Sequence, residues 1–108
     1  METLQDNPLF DEDGYLFEPS AWTEEIAVAI ARAEGIELGE EHWDVIRFMR
    51  ESYEGRQVAP DARDVVRYLV ERLGPEGRNR LFELFPYGYP GQACRIAGMK
   101  RPRAWSTG

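Results

Sequence analysis

Apolar residues recur at helical spacing along most of this 108-residue chain, and the pattern changes only near its start. Ile26, Ala27, Ile30 and Ala31 mark one face of a helix predicted over 23–34. Thr23 stands before them as N-cap, Glu24 and Glu25 suit the positive end of the dipole, and Gly35 supplies the stop. A second helix is predicted over 40–53, burying Trp43, Ile46 with Phe48 or Met49, and Tyr53, and residues 54–60 read as a connector. Asp61 caps a third helix that runs to Leu73, with Val65, Val66, Leu69 and Leu73 inward, and Gly74-Pro75 ends it. A fourth, over 76–85, carries Leu81, Phe82, Leu84 and Phe85 before Pro86-Tyr-Gly-Tyr-Pro90 breaks it. A last short helix over 91–97 holds Cys94, and Gly98 closes it. Ahead of these helices, two aromatic-rich runs, 9–12 and 15–18, flank Asp13-Gly14. Asp-Gly in that setting signals a β-hairpin with a two-residue type I′ turn. The expected core joins Trp22, Ile30, Trp43, Ile46, Leu69, Leu81 and Phe85.

Length then sets the scale. A chain of this size makes one domain with a modest core, here expected over 1–98, and residues 99–108 read as a C-terminal arm. A single cysteine forms no internal disulfide, which suits a reducing compartment. The start has no basic and apolar leader pattern, and no apolar run nears the roughly eighteen residues of a membrane span. The expectation is a cytoplasmic, soluble protein without a membrane partner, acting as a monomer.

Charge divides the chain. Residues 1–58 carry fifteen Asp/Glu against four Arg, whereas 59–108 carry five against nine Lys/Arg, for an overall −7. The acidic whole argues against non-specific nucleic-acid binding, which depends on positive charge to displace counterions. The basic second half leaves room for a local patch, although such asymmetry usually reflects solvated helix faces.

The search for catalytic constellations is mostly negative. His42 is the only histidine, so a site needing two cannot form, and one Cys with one His falls short of a zinc set. Its position beside Glu40, Glu41 and Asp44 suits a capping or solvated role. The Asp-Glu-Asp-Gly run fails as a calcium loop, because counting back from Gly14 puts Leu9 at the first ligand position. No phosphate-binding glycine motif is present. No cofactor is expected.

Cys94 remains, with two readings. It is either a small buried hydrophobe or a reactive thiol at the base of an arm. An early place in a helix beside Arg95 would favour the thiolate, the form that attacks persulfides and disulfides. The basic tail with Lys100, Arg101, Arg103 and Trp105 offers contacts to a partner, or a lid over the domain.

Several blocks of residues carry a family resemblance. They are Asp11-Glu-Asp-Gly14-Tyr-Leu-Phe with Trp22, Ala33-Glu-Gly-Ile-Glu-Leu, Glu41-His-Trp-Asp-Val-Ile-Arg-Phe-Met-Arg50 and Ala59-Pro60. Leu81-Phe-Glu-Leu-Phe-Pro86 and Gln92-Ala-Cys94-Arg-Ile-Ala-Gly98 complete the set. In this combination and order the chain resembles the DsrC/TusE family of sulfur-relay proteins, which includes the gamma subunit of dissimilatory sulfite reductase. The resemblance implies a mostly α, α+β fold: a small orthogonal helical domain with an N-terminal β-hairpin, a helix-turn-helix-like element and a flexible C-terminal arm. It also implies a persulfide carrier, of sulfurtransferase type at most, or a docking partner in tRNA thiolation or in sulfite reductase or heterodisulfide reductase-like pathways. Cys94 is then the candidate sulfur-accepting thiol, and Arg95, Lys100, Arg101, Arg103 and Trp105 the partner-facing residues. The family's principal sulfur-carrying cysteine lies eleven positions after the one matching Cys94, and here that position is Trp105. Tryptophan holds no persulfide and closes no disulfide. Such departure is similar to the divergent branch, for which regulatory roles are suggested. The alternative is therefore a regulator binding DNA or a partner through helices 40–53 and 61–73, with Arg63, Arg67 and Arg72 as candidate readers.

Overall fold

Two helix starts in this chain are written in short polar side chains, and the computed structural model shows them at work. It describes residues 10–11, 13–58 and 60–100. Thr23 Oγ1 accepts from the Ile26 amide at 3.2 Å and opens α1 (Glu24–Ala33). Gly35 and Ile36 donate back to the carbonyls of Arg32 and Ala31, closing the helix with a Schellman pair. Asp61 accepts from Asp64 N at 2.9 Å and opens α3 (Ala62–Leu73). Between them lies α2 (Glu40–Arg56).

α2 runs three residues beyond its expected end. Gln57 then stops it in the left-handed region at φ 61, with its amide on the Tyr53 carbonyl. After a 3₁₀ turn, Gly74–Glu76, comes α4 (Gly77–Leu84). Gly77 sits so close to α3 that a Cβ would lie 2.5 Å from the Leu69 carbonyl carbon, so only glycine lets the two helices meet here. The expected last helix takes a different form: a π-type turn, Tyr89–Ala93, leads into the single turn α5 (Cys94–Ile96).

The architecture is mostly helical, and among the described residues there is no extended strand. At the expected hairpin one antiparallel bridge pairs Phe10 with Leu16. The turn differs from the two-residue type I′ form. Gly14 donates to the Asp11 carbonyl and Asp11 donates to Tyr15, while Asp11 Oδ1 accepts from the amides of Asp13 and Tyr15, both at 2.9 Å. A carboxylate that satisfies two amides locally replaces ladder bonds. Leu9 and Glu12 of the expected hairpin lie outside the described residues.

Ile30, Ile46, Leu69, Leu81 and Phe85 are buried in one core with Leu16, Val45, Met49, Val65 and Leu84. Trp22 and Trp43 are half-buried against that core rather than inside it. Of the two options in α2, Met49 is the core residue; Phe48 stacks on Tyr68 of α3 with ring centroids 4.4 Å apart. Leu73 and Phe82, expected inside, are 41% and 60% exposed. Leu73 is the final residue of α3, and Leu81 and Leu84, three positions apart, already fill the inward face of α4.

Candidate functional site

The last segment of the fold wraps onto the first. Gly88, at φ 98, ends the break after α4, and from there Tyr89, Gln92, Ala93, Cys94, Ile96, Ala97 and Met99 are all buried. Gln92 is the one buried polar residue among them, and both polar atoms of its side chain have a partner. It donates to Glu34 Oε1 at 2.8 Å and accepts from the Tyr87 amide at 3.2 Å. Arg95 reaches the other oxygen of Glu34 at 2.9 Å. Glu34 is the C-cap of α1, so two side chains from the last segment fasten that helix end.

Cys94 has no solvent-exposed surface. Burial pushes its thiol up to about 12, although its hydrogen bond with the Tyr89 hydroxyl works in the opposite direction. The Tyr89 hydroxyl gives its one proton to the Pro60 carbonyl. Burial above all, with the neighbouring Cys94, raises the hydroxyls of Tyr89 and Tyr15 as well. The thiolate-favouring setting expected beside Arg95 is therefore not what the fold builds. Arg95 points to Glu34, and the apolar surround favours the neutral thiol.

Two side chains close the far end of α5. A helix end leaves its last carbonyls without intrahelical partners. Trp22 Nε1 donates to the Ile96 carbonyl at 2.8 Å, and Arg50 donates to the Ala97 carbonyl at 3.0 Å. Arg50 also donates to the Pro19 carbonyl at 3.0 Å and lies 4.5 Å over the Trp22 ring. Burial lowers its guanidinium from the ordinary arginine value, although it remains charged. Gly98 turns the chain away at φ 76, and a Cβ there would lie 2.4 Å from Trp22 Cδ1. Neither Trp22 nor Arg50 was singled out by sequence as part of a site, because both contacts span more than forty residues. The signal available was their place in matching blocks.

Lys100 is exposed, whereas Arg95 is half-buried in its ion pair. Arg101, Arg103 and Trp105 lie outside the described residues. Among the described residues, no group of three or more His, Cys, Asp or Glu side chains could hold a metal ion. No helix there is long and apolar enough to cross a membrane.

His42 caps α2 from within. Its Nδ1 accepts from the Gly39 amide at 3.0 Å, which leaves Nε2–H to donate to the Leu84 carbonyl, also at 3.0 Å. The Phe85 ring meets it edge-on at 5.4 Å. Burial lowers the imidazole from its ordinary value, and Arg80 adds to that, against the raising effects of Leu84 and Glu41.

On the outer face of α2 and α3, Arg72 pairs with Asp44 at 2.9 Å, and Arg67 approaches Asp64 at 3.9 Å. Two of the three arginines proposed to read DNA thus face carboxylates of their own chain, while Arg63 is exposed.

Comparison with known proteins assigns this arrangement. The family model described as "DsrC like protein" matches residues 3–104. The sulfurtransferase TusE of Salmonella typhimurium is 47% identical over 94 residues, covering 85% of this chain and 86% of that protein. TusE of Escherichia coli is 45% identical over the same shares. Among solved structures, the oxidized gamma-subunit of the dissimilatory sulfite reductase from Archaeoglobus fulgidus superposes with a TM-score of 0.78 at 37% identity, covering 91% of this chain and 92% of that one. DsrC of Allochromatium vinosum gives 0.75 at 43% identity, with coverage of 86% and 85%. These relatives lend no support to a DNA-reading role for α2 and α3. The chain belongs to the DsrC/TusE family of sulfur-relay proteins.

Proposed function

We propose that this chain serves sulfur transfer as a docking member of the relay, with its single thiol kept inside the fold rather than carried on an arm. The burial of Cys94 carries the reading: a thiol with no exposed surface, held neutral by its surroundings, is a poor nucleophile at neutral pH. The sequence supports it from another side, since Trp105 stands where the family's principal carrying cysteine falls. The partners are sulfur-relay or sulfite reductase-type proteins, in tRNA thiolation or in sulfite reductase-like pathways. The domain of residues 1–98 presents the docking body, and Lys100, Arg101, Arg103 and Trp105 form the contact arm. Arg95 serves inside, as the tie to Glu34.

Intact mass after exposure to a persulfide donor tests this. The native chain should gain no sulfur, whereas the same chain unfolded in urea should gain one sulfur on Cys94. Uptake by the native chain that disappears in Cys94→Ser would overturn the reading.

A further inference from the structure

We infer that Trp22 and Arg50 form a latch on the end of α5, and that local release of this latch is the route by which Cys94 becomes accessible. The inference goes beyond the docking role and holds whether or not the thiol ever accepts sulfur.

α5 is a single turn, Cys94–Ile96, and a helix of that length has no stability of its own in water. What holds it is tertiary. On one side Gln92 and Arg95 grip Glu34. On the other, the carbonyls of Ile96 and Ala97 are satisfied by Trp22 Nε1–H and the Arg50 guanidinium. The two donors hold each other, because the guanidinium lies over the indole at 4.5 Å and has its other end on the Pro19 carbonyl. Gly98 completes the fit, since any side chain there would press into the indole.

This construction differs from ordinary core packing in one respect. Its parts are half-buried side chains at the surface, reachable by a partner, whereas the residue they seal is fully buried. Losing either donor leaves a carbonyl unsatisfied at the end of α5, which weakens that turn specifically. The deep core, with Ile46, Val65, Leu69 and Leu81, makes none of these hydrogen bonds. Opening at α5 is therefore separable from unfolding of the whole chain.

Native-state alkylation of Cys94 by a small thiol reagent reads the latch directly. Trp22→Phe keeps an aromatic ring and removes the donor; Arg50→Met keeps the stem and removes both donors. Each should speed labelling about tenfold or more. Global unfolding, from urea titration and from amide exchange at Leu69, should change by a clearly smaller factor. Labelling that stays at the wild-type rate, or rises only by the factor by which global unfolding rises, would overturn the inference. Should Arg50→Met fail to fold, Trp22→Phe alone decides, because it preserves most of the ring's packing.

Discussion

On the face shared by α2 and α3, charges meet in water. Arg72 and Asp44 pair at 2.9 Å with side chains 53% and 26% exposed, beside a groove lined by Glu40, Glu41, Arg47 and Leu69. In the wrapped segment, by contrast, Gln92 and Tyr89 lie inside protein, with Gln92 spanning from α1 to the turn after α4 and Tyr89 holding the Pro60 carbonyl. The same kinds of interaction have different consequences in the two places. Water competes for the exposed pairs and replaces them when they break. No water stands ready for the buried groups, so each lost partner leaves a desolvated atom. The exposed face is therefore free to vary, and the wrapped segment is where the fold is specified.

The largest effect should come from the wrapped segment. Phe85→Ala removes a fully buried ring that also meets His42, and should lower stability by about 3–5 kcal/mol, measured as a shift in urea unfolding. A loss under about 1 kcal/mol would place Phe85 outside the cooperative core.

A smaller effect belongs to His42, at the junction of the two regions. An imidazole held neutral by burial binds fewer protons folded than unfolded, so stability rises with pH. The contribution is present above the ordinary value of 6.5 and lost as pH falls from there through the lower folded value. Protonation also puts a proton on Nδ1, where the Gly39 amide now donates. Glu41 and Arg80 face the ring with opposite effects. His42→Gln retains a capping acceptor but does not titrate, so its urea midpoint should fall less than that of the wild type between about pH 8 and pH 5. Equal falls in both would remove His42 from the pH response.

The smallest effect should be at Asp44 and Arg72. A double-mutant cycle of Asp44→Ala and Arg72→Ala should give a coupling of about 0.2–1 kcal/mol. A coupling above about 2 kcal/mol would show that this face is as specified as the wrapped one.

Which parts were legible in sequence follows the same division. The caps Thr23 and Asp61 and the stop at Gly35 are local devices, and their residue types announce them. The end of α2 was not legible, because Gln57 takes the left-handed position that sequence reasoning reserves for glycine or asparagine. His42 was legible as a capping residue, since its acceptor and its amide are three positions apart. The setting of Cys94 was not. Its helix position and Arg95 suggested a thiolate, but burial against elements far along the chain decides the chemistry, and Glu34 draws Arg95 away. Trp22 with Ile96 and Arg50 with Ala97 are long-range pairs of the same kind, invisible to any pattern of spacing.

The wrapped segment also has a place in time. Its ties are among the most non-local in the molecule, joining Gln92 to Glu34 across 58 positions and Ile96 to Trp22 across 74. Closing loops of that length is slow compared with forming α1 to α4, each built from neighbours in sequence. During synthesis, too, residues 85–99 follow the helices they cover. Until they dock, the thiol of Cys94 stands in water with ordinary acidity, and the folding chain has an interval of reactivity that the folded one lacks.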